Sequence, residues 1–355
     1  MNRTIPVEVS DLTAAWCTEM LQARAPGAVC RVIEILDAHS GTTGRARIGV
    51  TCDDPRVPAS LFVKLPPFTA DRRTFVDDQG MGVAEAHFYA EVARDLPVRV
   101  PEVWSSVFDA EGSYLMVFED LSLRGSRQPL ATDADIAVTV DGVIDNLAAL
   151  HAAFWETLRF AEGGDLAWIA ARSRSYAGAA AFVQRAVDTL NDQLPPASRA
   201  LAELYLDRVD DIVVLLGTGP RTLVHGDAHL GNMWVDDRGP GLLDWAVVGH
   251  GVGMRDVAYF IGNSVTTEFR QQHEHRLIQR YCDRLTAAGV PATVDETWDQ
   301  YRLHMVSPWI AAVVTASYGA ALQSTAVGHR AVQRSDRSLA DLGTIALLES
   351  LLPAN

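Results

Sequence analysis

The stretch His225-Gly-Asp-Ala-His-Leu-Gly-Asn232, followed after a short interval by Asp244-Trp245, decides how this 355-residue chain is read. It carries Asp227, Asn232 and Asp244 in the order that phosphoryl transfer from a metal-bound nucleotide needs. One carboxylate orients a hydroxyl nucleophile, while an amide oxygen and a second carboxylate hold magnesium on the phosphates. Residues 221–224 are a short, partly apolar run entering the motif. Met233-Trp234-Val235 and Gly241-Leu242-Leu243 predict two short strands joined across Asp236-Asp237-Arg238-Gly239-Pro240, a cluster of turn formers. A hairpin returns the chain to its start, so Asn232 and Asp244 are expected side by side, with Asp227 one loop upstream. Asp and Asn are common turn residues, so either piece alone arises easily by chance. Both pieces, in order and with a hairpin of the right length between them, do not.

Composition narrows the remaining classes. Hydrophobic residues make up 48% of the chain, ample for a large core. A formal net charge of −15 and a pI near 5.0 argue against nucleic-acid or anionic-membrane partners, which are held largely by Lys and Arg. The four cysteines, Cys17, Cys30, Cys52 and Cys282, form no C-x-x-C pair and read as reduced thiols. No apolar leader precedes Glu8 and Asp11, so a cytoplasmic protein is expected. The most apolar stretch, 309–322, is interrupted by Ser317, Tyr318 and Gly319 and predicts a core helix.

Around the motif the chain falls into an α+β arrangement of two lobes. Runs at 31–36, 45–52, 60–65, 103–108 and 114–118 predict a five-stranded antiparallel sheet. Residues 83–96 form the one helix among them, with Glu85, Phe88, Tyr89 and Val92 on one stripe. A short helix is expected near 10–24. Past Asp120 the pattern turns helical, over 133–158, 176–194, 197–216, 266–288 and 296–323, with the central hairpin as the only clear β element. The lobes are therefore drawn as 1–119 and 120–355, joined near 119–126, where a ligand cleft is favoured.

Lys64 lies inside the apolar strand Leu61-Phe62-Val63-Lys64-Leu65. Alone it would read as an edge-strand lysine facing water. Glu85 changes that balance, because it shares the apolar helical stripe while Glu91 points about 240° away. A buried lysine and a buried glutamate explain each other as an ion pair, the pair that holds a kinase lysine against the α- and β-phosphates. Gly41 and Gly44 would let backbone amides approach phosphates, although an ordinary turn accounts for them equally. Glu119 and Leu121, at the lobe junction, could offer backbone groups to an adenine.

With these residues assembled, the chain resembles the aminoglycoside phosphotransferase and choline kinase group, and looks closest to its ecdysteroid-kinase-like branch. The resemblance rests on Lys64, on Glu85-x-x-Phe88-Tyr89, and on Val117-Phe-Glu-Asp-Leu121. It extends through Leu147-Ala-Ala-Leu-His151-Ala-Ala-Phe-Trp155 to the segment from His225 to Trp245. It implies a bilobal, protein-kinase-like fold: an N-terminal nucleotide-binding lobe and a C-terminal lobe for catalysis and acceptor binding. ATP and Mg2+ are the implied cofactors, and the implied reaction is phosphoryl transfer to the hydroxyl of a small molecule. By resemblance Asp227 is the catalytic aspartate, Asn232 and Asp244 the magnesium ligands, and Lys64, oriented by Glu85, the phosphate-binding lysine. Glu119 and Leu121 match the adenine-binding hinge, while His225, His151 and Asp256 match residues that hold the catalytic loop. Leu230 departs from the family's usual proline, and the 41–44 loop is short of glycine. The acceptor expected from the resemblance is apolar and hydroxylated, ahead of an aminoglycoside.

Two rivals fit less well. Eleven residues between Asp244 and Asp256 leave no room for a peptide-docking activation segment, Gly226 replaces the arginine of protein kinases, and no Ala-Pro-Glu follows. A nucleotide-binding pseudokinase would not need every chemical position filled by a competent residue, as here. Trp309 and Tyr318 are about 180° apart on one helix, so core packing is expected for at least one of them.

Overall fold

The computed structural model describes residues 5–78, 80–318 and 324–353. The chain divides into two compact units, Met1–Arg127 with Trp234–Val247, and Gln128–Met233 with Val248–Asn355.

The first unit begins with α1 (Ala14–Leu21), whose N-terminus is capped by the Thr13 side chain accepting from Trp16 N–H at 3.2 Å. There follow β1 (Cys30–Ser40), β2 (Gly44–Cys52), β3 (Ser60–Leu65), α2 (Ala70–Asp78), α3 (Met81–Glu91), β4 (Val103–Phe108) and β5 (Tyr114–Glu119). The five strands form one antiparallel sheet in the order β1-β2-β3-β5-β4. Period-two alternation sorts the faces. Ala46, Ile48, Leu61, Val63, Leu65, Leu115 and Val117 share a core with Cys17 and Leu21 of α1. On the opposite face Lys64 and Phe118 meet α3, through Glu85 and Tyr89. The single helix expected here is a pair, because α2 also forms; its polar sequence shows no apolar stripe.

The second unit contains α4 (Ile136–Ala153), α5 (Ser173–Leu190), α6 (Pro196–Asp207), α7 (Val209–Leu216) and β6 (Arg221–Val224). The chain then passes into β7 (Met233–Asp236) and β8 (Gly239–Leu242), a hairpin that belongs to the first unit from Trp234 onward. Arg99 anchors it, pairing with Asp236 at 2.8 and 2.6 Å and accepting the Leu242 N–H at 2.9 Å. The second unit resumes with β9 (Gly249–Val252), α8 (Met254–Ser264), α9 (Thr267–Ala287), α10 (Val294–His304), α11 (Val306–Tyr318), α12 (Thr325–Leu342) and α13 (Thr344–Leu351).

Several expectations are corrected. The hairpin is not the only β element in this region, because β6 and β9 pair antiparallel. The helix expected over 197–216 breaks at Arg208, and that over 296–323 breaks at Met305; residues 319–323 lie outside the described residues. Trp309 is fully buried against Tyr205, so it packs the core. α4 is long and apolar enough, by length and composition alone, to cross a membrane, and half of it is buried here. Its Asp141 and Asp145 pair with Arg276, Arg280 and Arg284 of α9 at 2.6–2.8 Å.

Candidate active site

In the first unit the alternation of β3 turns Lys64 towards α3, whose apolar stripe presents Glu85. Lys64 Nζ lies 2.8 and 2.6 Å from the two Glu85 carboxylate oxygens, and both side chains are buried. A carboxylate oxygen of Asp244 stands 3.2 Å from the same ammonium, and Arg45 approaches Asp244 at 3.5 Å. Burial drives Lys64 towards its neutral form, but Asp244 and Glu85 outweigh it and hold the ammonium above its ordinary pKa. For Glu85 burial acts upward, Lys64 acts against it and Asp244 adds to the rise, leaving the carboxyl at about 7. Trp245 explains the Asp-Trp pair. Its backbone N–H donates to Glu85 at 3.2 Å, and its buried indole stacks on Phe88 at 4.2 Å. Asp244 takes a left-handed backbone, φ +60°, uncommon outside glycine although aspartate tolerates it better than most residues.

The other first-unit candidates differ in kind. Gly44 is sterically required, since a Cβ there would stand 2.4 Å from Pro66 O, whereas Gly41 faces open space. The Glu119 side chain is committed within the protein, accepting from Glu102 N–H at 2.9 Å and pairing with Arg124 at 2.8 Å. Leu121 opens a helical turn capped by the buried Asp120.

In the second unit α8 and its Asp256 fix the loop that bears Asp227. Asp256 is fully buried and accepts the backbone N–H groups of His225 and Gly226 at 2.5 and 3.0 Å. Arg255 donates to Gly226 O at 2.8 Å, and Ser264 accepts the Leu230 N–H at 3.1 Å. His151 hydrogen-bonds Tyr281 at 2.8 Å and lies 3.6 Å from Asp256. Asp227 itself receives Asn232 Nδ2 at 2.9 Å and the hydroxyl of Tyr259, with His229 at 3.5 Å. Burial raises the Asp227 carboxyl, but His229, Tyr259 and His225 prevail and hold it well below the usual carboxylate range.

The structure thus brings together Lys64, Glu85 and Asp244 in one unit, and Asp227 and Asn232 in the other. Sequence reading missed Tyr259, His229, Arg45 and Arg255. Tyr259 follows Asp256 by three residues, one helical turn, a signal readable only once α8 is recognised. Because its amide nitrogen faces Asp227, Asn232 keeps its amide oxygen for another partner. That oxygen and the Asp244 carboxylate are hard donors of the kind Mg2+ takes, so these residue types fit the ion.

His304 of α10 is buried beside this loop, with Tyr176 at 3.4 Å. Burial and the Arg255 charge push its pKa down to about 3, with Asp256 acting weakly upward. A depressed histidine contributes stability above its unfolded pKa near 6.5, lost as pH falls towards the folded value. We therefore expect stability to fall with acidification from pH 6.5 by up to about 1.4 kcal/mol per pH unit from this group. Denaturant titrations at pH 7 and pH 5 should show a smaller pH-dependent loss in His304→Gln.

A family model described as a phosphotransferase enzyme family (APH) matches residues 52–304, and the chain belongs to that family. Among solved structures it is similar to choline kinase from Cryptosporidium parvum, with a TM-score of 0.58 and 11% identity over 90% of this chain and 93% of that one. It is also similar to a Ralstonia eutropha protein assigned as an aminoglycoside phosphotransferase, with a TM-score of 0.55 and 14% identity over 95% and 97%. A third is aminoglycoside 2'-phosphotransferase-IIIa in its GDP complex, with a TM-score of 0.54 and 12% identity over 91% and 98%. At these identities the likeness is one of fold, and the fold is kinase-like. No curated protein matches the sequence.

Proposed function

We propose that this protein is a small-molecule kinase that transfers the γ-phosphate of ATP to a hydroxyl group. The observation that carries the reading is Asp227: an ionised, partly exposed carboxylate, aimed by Tyr259 and Asn232 on a loop clamped by α8, in a chain of the phosphotransferase family. Asp227 orients the acceptor hydroxyl and takes its proton. A carboxylate held so acidic is a weak base, which suits a loose transition state where the proton leaves late. Lys64, steadied by Glu85, binds the nucleotide phosphates. Asn232 and Asp244 would hold magnesium, which supplies charge neutralisation on the phosphates when bound. Gly41 and Gly44 would flank the phosphates, and the hinge residues Glu119 and Leu121 would meet the adenine through their backbone. The Glu119 N–H is already given to Glu102 O at 2.9 Å, so its carbonyl is the group on offer. The ecdysteroid-kinase-like resemblance directs attention to acceptors with apolar bodies.

The test is ADP release with Mg-ATP across sterols, aminoglycosides, amino alcohols and hydroxyacyl thioesters. Activity on one class, abolished by both Asp227→Ala and Asp244→Ala, is the expected result. Nucleotide binding with no turnover on any acceptor would favour a pseudokinase. Lys64→Met should weaken ATP binding by on the order of 10- to 100-fold, the effect of losing one charge-assisted contact. Glu85, already raised to about 7, can take up a proton and stay buried. Unchanged ATP affinity in calorimetry would remove Lys64 from the phosphate site.

A further inference from the structure

β9 is half glycine, and Gly249 leaves the space that one arginine fills. A Cβ on Gly249 would stand 2.3 Å from Cδ and 2.4 Å from Cγ of Arg172, and one on Gly251 would stand 3.6 Å from its Cβ. The Arg172 backbone N–H donates to His250 O at 2.9 Å, so the residue is fixed against β9 and its stem lies in the trough left by the missing side chains. Nothing completes its charge. Among the described residues no carboxylate comes within ion-pairing distance of the guanidinium, and its Nε is buried without a hydrogen-bond partner. Beside it stands Arg255, itself buried, whose Nη1 is taken by Gly226 O and whose Nε is likewise buried and unpartnered.

Two neighbouring guanidiniums, each with a buried Nε that has no hydrogen-bond partner, are unfavourable unless an anion or a water joins them. Burial and Arg255 push the Arg172 pKa down to about 10, while Tyr176, Asp256 and Asp227 pull it up without pairing with it. Hence Arg172 and Asp227 feel one another across the loop that aims the catalytic carboxylate. A cavity of about 20 Å³ is lined by Arg172, Arg255, Tyr176, His250 and His304, room for about one water or one oxygen of an anionic group.

We propose that Arg172 receives an anionic group of the phosphoryl acceptor, a carboxylate or a phosphate, while Asp227 receives the acceptor's hydroxyl. The acceptor is then a hydroxylated acid, and neither a cation nor a neutral alcohol. The inference rests on the kinase reading and narrows it. The planar guanidinium fork matches both anions in two-point contact, so Arg172 orients the acceptor as well as attracting it.

The test has two arms. Acetate and inorganic phosphate are titrated into the full-length protein, its Arg172→Met variant and its Arg172→Lys variant, following thermal stability. Separately, ADP release is compared for 3-hydroxybutyrate against its amide, glycerol 3-phosphate against glycerol, and choline. The expected result is stabilisation by an anion in wild type, weaker in R172K and absent in R172M. Which anion stabilises more tells carboxylate from phosphate. The preferred acid should exceed its neutral partner by about 100-fold or more in kcat/KM. R172M should erase that ratio through KM, leaving the KM for Mg-ATP unchanged. Anion responses that are equal in wild type and R172M, or absent from both, would overturn the proposal. So would preference for the neutral or cationic compounds. A loss in R172M confined to the KM for Mg-ATP would assign the arginine to the nucleotide and overturn it too. Absence of ATP binding and of all turnover would sink the kinase reading alone, since the anion titration decides the arginine site independently.

Discussion

Replacing Asp227 with asparagine is expected to slow phosphoryl transfer by about 10²- to 10⁴-fold while leaving the fold and the ATP affinity intact. Asparagine keeps the shape, and its amide oxygen still accepts the Tyr259 hydroxyl. The variant loses the negative charge and the second acceptor, which now receives Asn232 Nδ2 at 2.9 Å. The lost charge is the one that would align the nucleophile, so the loss should fall on kcat. Because His229, Tyr259 and His225 hold Asp227 below the usual carboxylate range against the effect of burial, it stays ionised throughout the neutral range. Any acid limb near pH 6 should therefore belong to another group. Near-wild-type turnover in D227N, measured on the acceptor found in the screen, would show that Asp227 has another role.

Asp256→Ala should destabilise the protein by about 3–5 kcal/mol, the range for removing one partner of a buried charged network. Two backbone N–H groups, of His225 and Gly226, would lose their acceptor in a site closed to water. Arg255 would lose the carboxylate 3.6 Å away. The melting temperature should fall by on the order of 10 °C. Asp256→Asn should be less harmful, since its amide oxygen still accepts one of the two backbone N–H groups while its NH2 faces the other. Burial raises the Asp256 carboxyl, but His151, Arg255 and His225 overcome it and lower its pKa. Its contribution is thus present above the ordinary carboxylate pKa and lost only in strong acid. A calorimetric melt within 2 °C of wild type would refute this account of how the loop is held.

β2 was legible because buried and half-buried residues alternate from Gly44 to Val50, and β3 and β5 because each is a short, nearly continuous apolar run. The Lys64–Glu85 pair was legible because a charged residue on an apolar stripe needs a partner. α8 was not, since Met254 through Gly262 are all buried and no polar face gives a helical period. Its concealment hid Tyr259 and Arg255 as well. β9 reads as loop because half its residues are glycine, and the need for Gly249 is visible only with Arg172 lying over it. The break at Arg208 carries neither glycine nor proline, so local sequence offers no stop signal there, whereas Pro308 follows the break at Met305 by three residues. Nor does linear order reveal that residues 234–247 pack with the N-terminal unit; that depends on Arg99 reaching Asp236 across 137 positions.

Asp244 is flanked by Lys64 at 3.2 Å and Arg45 at 3.5 Å, so its carboxylate is already engaged by resident cations. A divalent ion arriving alone must compete with both of them. One escorted by phosphates would meet less resistance, because the phosphates would draw Lys64 and Arg45 to themselves and release the carboxylate at the same moment. On the kinase reading the arrangement would act as an ion exchanger, in which nucleotide and metal would load as a single cargo and neither would be retained well without the other.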